Sequence, residues 1–172
     1  DVLEIGDDHY TRQFGGDRVT GSHILHAASG KPNAVVGDLA TGQGVPEQAF
    51  DCIILTQVLL CIYDVHAAVR CCHRALRPGG VMLATVPGIS QISRFDMDRW
   101  GDYWRFTDRS AHRLAADVFT PGQVTVEAFG NVKLAVAFLH GLSVEELSQR
   151  DLDYCDPDYQ TTITIRAVKE QG

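Results

Sequence analysis

Asp96, Asp98 and Tyr103 fall in one stretch of chain that also carries Trp100, Trp104 and Phe106. Carboxylates and a phenol among aromatic rings could supply a general base for a substrate hydroxyl in a mostly apolar pocket. The rings would serve equally well in a core, and the sequence leaves both readings open. His112 and His140 are secondary acid–base candidates. Metal chemistry is not expected. His23 and His26 lie three apart on a strand pattern, so their side chains point to opposite faces, and no third ligand stands at useful spacing. Asp151, Asp153, Asp156 and Asp158 have the composition of a calcium loop without its turn glycine or its closing glutamate. They read as a solvated acidic loop.

The 172 residues are 45% hydrophobic and 22% charged. These proportions fit a single globular domain and exclude a disordered chain. Fifteen Lys and Arg against 22 Asp and Glu leave a net charge of −7. With no basic cluster to offset that sign, nucleic acid is not an expected partner. No apolar run reaches membrane-spanning length, so no membrane partner is expected either. The five cysteines form no C-x-x-C pair and mostly sit in apolar stretches, as free thiols of a cytoplasmic protein would.

Short apolar strands alternating with helical patterns must position these residues, which predicts an α/β sheet. Strands are expected at Val2–Ile5, Ser22–Ala27, Ala34–Val36, Phe50–Thr56 and Val81–Val86, with a late pair at Val124–Phe129 and Thr161–Val168. Asp64 to Leu76 has helical spacing at Val65, Ala68, Val69, Cys72 and Leu76. Asp64 suits its cap, and Pro78-Gly79-Gly80 its stop. Thr107 to Phe119 reads as a second long helix stopped by Pro121-Gly122, and the first helix is expected to be short, around Tyr10 to Phe14. About thirty residues separate the last two strands, far more than a hairpin needs. Val132–Leu139 within them is apolar enough for a helix, and Glu145-Glu146-Leu147 belongs to another candidate.

Four segments occur in a familiar order: Val2-Leu3-Glu4-Ile5-Gly6, Gly37-Asp38-Leu39, Phe50 to Leu55, and Arg74-Ala75-Leu76-Arg77-Pro78-Gly79-Gly80-Val81-Met82-Leu83. Together they resemble the class I S-adenosylmethionine-dependent methyltransferases, in particular the type 11 group, over roughly residues 2 to 119. The R-x-L-R-P-G-G segment is the most specific piece, and Trp104-Arg105-Phe106-Thr107 resembles an element that opens a later helix in some members. The resemblance implies a Rossmann-like fold, mostly parallel, flanked by helices, with an antiparallel last strand. It implies S-adenosylmethionine as cofactor and a small-molecule acceptor, methylated at a hydroxyl oxygen or elsewhere. Homodimerisation is left open.

Carried over from the family, Glu4, Gly6 and Asp7 form the loop that approaches the methionine part of the cofactor. Asp38, followed by Leu39, matches the acid that reaches the adenine amino group. Thr56 and Gln57 match the positions that flank the reacting methyl. Asp8 and Tyr10 stand where two family glycines would be, and Ser29 is the one side chain offered where an acid would hold the ribose. The chain starts directly on its first strand, so 1–172 is expected to be one domain without the usual N-terminal helices. Two other readings remain: a non-catalytic binding or assembly domain of the same fold, and a nicotinamide-dependent oxidoreductase. The latter ranks last because G-x-G-x-x-G is absent.

Overall fold

In the computed structural model, which describes residues 1–26 and 33–171, one seven-stranded sheet runs through the chain in the order β3-β2-β1-β4-β5-β7-β6. The strands are β1 (Val2–Ile5), β2 (Ser22–His26), β3 (Ala34–Val36), β4 (Phe50–Thr56), β5 (Leu76–Pro87), β6 (Val124–Phe129) and β7 (Thr162–Val168). β3-β2-β1-β4-β5 are parallel, and β7 runs antiparallel to both β5 and β6. The expected mostly parallel Rossmann-like sheet with an antiparallel last strand is therefore present. The chain winds outward from β1 to β3 and then returns to lay β4 on the other side of β1. That reversal opens a crevice at the carboxyl ends of β1 and β4, where open α/β sheets bind ligands.

Apolar runs explain the centre of the sheet. Leu3, Ile53, Leu55, Met82 and Val86 are fully buried, as strands covered on both faces require. β7 alternates instead, burying Ile163, Ile165 and Ala167. Helix α1 (His9–Gly15) follows β1 and is the short first helix expected around Tyr10 to Phe14. Helix α2 (Val65–Ala75) starts at Asp64, whose carboxylate accepts from the Ala67 amide at 2.8 Å.

The family-like segment after α2 differs from its expected role as a helix stop. Leu76 is already extended and pairs with Phe50, so the strand begins before Pro78. The register then shifts between Phe50 and Cys52, and the Pro-Gly-Gly segment forms the irregularity. Gly79 adopts φ +81°, a left-handed conformation that a side chain would strain, and its amide donates to the Lys169 carbonyl. Lys169 Nζ donates to the carbonyls of His73 and Leu76, which closes the helix end.

Helix α3 (Arg94–Met97) lies in the loop after β5, and α4 (Asp108–Ala116) packs over β6 and β7. Thr107 and Ser110 cap α4 reciprocally. It ends at Ala116 rather than Phe119, because Pro121 holds Thr120 extended and Phe119 turns into the core. Between β6 and β7 lie α5 (Val132–His140), a 3-10 turn at Val144–Glu146, and α6 (Gln149–Asp153). No helix among the described residues is long and apolar enough to cross a membrane.

Candidate functional site

Among the described residues, two neighbouring cavities open at the carboxyl ends of the strands. The first, about 570 Å³, lies over β1, β2 and β3, and Gly6, Asp38, Leu39 and Gln57 line it. The second, about 470 Å³, lies over β5 and the start of β7, walled on one side by Leu134 and Phe138 of α5. Gln57 and Asp96 line both.

The loop after β1 is organised by Glu4. Its carboxylate is 3% exposed and accepts from the Tyr10 amide at 3.1 Å, the Thr11 amide at 2.8 Å and the Thr11 hydroxyl at 2.7 Å. A buried carboxylate thus binds the first turn of α1, whose amides have no partner within the helix. Glu4 lines neither cavity. Gly6 lines the first at φ +85°, and among the described residues no atom lies within 4 Å of where a Cβ would stand.

Asp7 accepts from the His9 amide and lines neither cavity. Asp8 has φ −118° and bonds Arg12 Nε at 2.8 Å and the Ser22 hydroxyl at 3.3 Å. Tyr10 stacks on Phe14. These two positions, glycine in the family pattern, have ordinary backbone here and turn their side chains to neighbours outside the cavities.

Asp38 follows β3 and is exposed at the first cavity. One carboxylate oxygen accepts from the Ala40 amide at 2.8 Å and the other from the Thr41 hydroxyl at 3.1 Å. Each oxygen retains a lone pair for a ligand. Ser29 lies outside the described residues. Thr56 pairs with Thr85 and lines neither cavity. Gln57 has φ +55°, sparsely populated for a residue with a side chain. Thr85 holds it: the Gln57 amide donates to the Thr85 carbonyl at 3.0 Å and hydroxyl at 3.2 Å, and Gln57 Nε2 donates to that hydroxyl at 3.3 Å. Backbone kept in such a conformation by its surroundings is a mark of functional sites.

Of the acid–base candidates, Asp96 is half-buried on α3, and among the described residues its carboxylate has no hydrogen-bond or ion-pair partner. Tyr103 lines the first cavity, while Asp98 ends α3 and lines neither. His112 and His140 line neither cavity. The aromatic stretch divides between its two readings. Phe106 is core, Trp104 packs on the core and donates from Nε1 to the Ile62 carbonyl, and Trp100 and Tyr103 wall the first cavity.

Sequence reasoning missed the Asp102–Arg105 pair, whose i, i+3 spacing beside Trp104 was the available signal. The Asp102 side chain is 0% exposed, and its two oxygens accept from Arg105 Nη1 and Nη2 and from the Ser93 amide. The Arg105 hydrogen bond holds the Asp102 carboxyl below its usual range. Arg105 also donates to the carbonyls of Trp104 and Gln91, so it clamps the loop that presents Asp96. Cys61, a free thiol, lines the first cavity. Burial, with Asp96 and Asp102 adding to it, pushes that thiol up to about 11. Among the described residues no cluster of His, Cys, Asp or Glu could hold a metal ion.

Residues 7–124 match the sequence family described as "Methyltransferase domain". The chain belongs to the methyltransferase domain family. Family and fold agree with the class I methyltransferase resemblance of the sequence. A SAM-dependent methyltransferase from Archaeoglobus fulgidus is 12% identical with a TM-score of 0.61, over 98% of this chain and 85% of that one. A chain of the Haloferax volcanii complex with the Trm112 methyltransferase activator is 12% identical with a TM-score of 0.63, over 99% and 82%. The Haemonchus contortus phosphoethanolamine N-methyltransferase 2, in complex with S-adenosyl-L-methionine, is 16% identical with a TM-score of 0.61. There this methyltransferase is covered over 99% of its length but spans only 48% of the other chain. At such identities the likeness is one of fold. No curated protein sequence matches the chain.

Proposed function

We propose that this methyltransferase acts on a hydroxyl oxygen of a small molecule, with S-adenosylmethionine in the first cavity, the acceptor in the second, and Asp96 as general base. The observation that carries the reading is the shared border: Gln57 and Asp96 belong to both cavities. Methyl transfer needs donor and acceptor in line at one point, and placement supplies most of the rate.

The residues of the first cavity fit the cofactor. Ile5, Leu25, Leu39 and Ile62 offer apolar walls for a flat base, and Asp38 has acceptor capacity for an exocyclic amino group. The absence of a side chain at Gly6 lets a polar chain approach the backbone. Bound there, S-adenosylmethionine supplies a methyl group on a positively charged sulfur, open to attack by a lone pair. Asp96 takes the proton from the acceptor hydroxyl, and its charge stabilises the positive charge that develops on that oxygen. Gln57, fixed by Thr85, keeps the border in place. Leu134 and Phe138 exclude water from the acceptor side. Five cysteines, none in a disulfide, support residence in the cytoplasm.

Calorimetric unfolding with and without S-adenosylhomocysteine tests the cofactor reading. At a hundred times its dissociation constant the ligand contributes about 2.7 kcal/mol, or roughly 5–10 °C of Tm for a chain of this size. Absence of any shift overturns the reading and favours the non-catalytic alternative. Transfer of labelled methyl to a hydroxylated acceptor, lost in Asp96→Asn, tests the second half.

A further inference from the structure

The second cavity holds an uneven set of charges. Among its described lining residues Arg105 is the one cation, and it is spent: Nη1 and Nη2 serve Asp102 and the carbonyls of Trp104 and Gln91. Asp102 is neutralised by the same contact, and its side chain is fully buried. What remains is the lone charge of Asp96, half-buried and without a partner among the described residues. The cations nearest in sequence are otherwise occupied. Arg99 lies over the Phe95 ring at 3.7 Å and donates to the Phe95 carbonyl, and Arg94 reaches the Met97 sulfur.

The other lining groups are of two kinds. Ser90, Ser93, Thr161 and Thr162 are neutral polar residues, and Leu60, Pro87, Leu134 and Phe138 are apolar. An anion entering this space meets a like charge at reduced dielectric and no free cation, so its desolvation is not offset. A neutral molecule with one apolar flank meets both kinds of wall.

We propose that the second cavity selects hydroxyl-bearing acceptors that carry no negative charge and present an apolar body to α5, and that Asp96 sets this choice. The proposal rests on the reading of that cavity as the acceptor site. Its mechanism is exclusion: carboxylated and phosphorylated acceptors are turned away by an unpaired carboxylate beside a self-neutralised ion pair.

Two probes on the same carbon skeleton, one neutral and one anionic, test it: 2-(4-hydroxyphenyl)ethanol and 4-hydroxyphenylacetate, with 4-hydroxyphenylacetamide as the neutral control of carboxylate shape, titrated calorimetrically into protein saturated with S-adenosylhomocysteine. The alcohol is expected to bind at least about tenfold more tightly than the acid, the order of effect of one unscreened like charge. In Asp96→Asn and Asp96→Ser the ratio should fall to within about threefold, chiefly because the acid binds better. A structural role for Asp96 would weaken both probes alike and leave the ratio unmoved. Equal binding of the two probes by the parent protein overturns the proposal. So does an unchanged ratio in the variants, or an alcohol that does not bind to protein holding S-adenosylhomocysteine. If S-adenosylhomocysteine itself does not bind, the reading of the first cavity fails, and the proposal fails with it.

Discussion

Replacing Glu4 tests whether this chain holds its first loop with a carboxylate. In Glu4→Ala, three donors lose their acceptor: the Tyr10 amide, the Thr11 amide and the Thr11 hydroxyl. Tyr10 is partly exposed and water can replace its bond, whereas Thr11 is buried. Each buried donor left unsatisfied costs about 1–3 kcal/mol. Two of them, less the relief of no longer burying a charge, give a loss of about 3 kcal/mol. For a chain of this size that is roughly 6–12 °C in Tm. Glu4→Gln keeps the shape and can turn its one acceptor oxygen to the two Thr11 donors, setting its NH2 against the part-exposed Tyr10 amide, so its loss should be smaller, about 1–2 kcal/mol. Urea unfolding monitored by circular dichroism measures both, and affinity for S-adenosylhomocysteine should fall in the same order as α1 loosens beside the first cavity. A Glu4→Ala protein within about 0.5 kcal/mol of the parent would refute the reasoning, since surface changes stay in that range.

The Asp102–Arg105 pair should make stability depend on pH. Arg105 depresses the Asp102 pKa in the folded state, so the contribution is present above the unfolded value near about 4 and is lost as pH falls through the folded value. Asp102→Asn should therefore cost about 3 kcal/mol at pH 7 and progressively less below pH about 4, measured by urea unfolding across that range. Gly6→Ala adds a Cβ at φ +85° that meets no atom of the described residues, so backbone strain should lower stability by about 1 kcal/mol. Calorimetric titration should show a larger proportional loss of S-adenosylhomocysteine affinity, because the added methyl faces the first cavity. Iodoacetamide at pH 8 should label the exposed Cys155 well before Cys61, whose thiol is pushed up to about 11. Mass spectrometry should show Cys61 labelling rise above pH about 9 and fall when S-adenosylhomocysteine is present.

The sheet was legible because its determinants are local. Phe50–Thr56 and Val124–Phe129 are found where their patterns place them, and Asp64, Thr107 and the alternation of β7 announced the elements they belong to. What escaped depends on partners distant in sequence. Pro78-Gly79-Gly80 looks like a helix stop until Lys169 and Phe50 are known to pair across it, which makes it the irregular start of β5. Site residues divide in the same way. Gly6, Asp38, Leu39 and Gln57, singled out by their order along the chain, sit at strand ends and line the first cavity. Leu134 and Phe138 reach the second cavity from a segment between the last two strands, and no periodicity says which cavity a helix will cover.

Asp8 and Tyr10 stand where the resemblance expects glycines, and the loop after β1 is built without them. Several glycines after β1 let the backbone bend wherever a ligand comes close. Here one bend suffices, because only Gly6 in that loop takes a positive φ, and α1 begins at His9 directly afterwards. A chain that turns so early into a short helix must secure the helix's first amides, since seven residues supply little cooperativity of their own. Glu4 does so from beneath, and Asp8 adds a side-chain bond to Arg12 and one to Ser22. Glu4 thus lies where the family pattern puts it and still touches neither cavity: its carboxylate holds the loop, and the loop presents Gly6. Asp8 and Tyr10 are free to carry side chains because Glu4 fixes the path of the backbone between them.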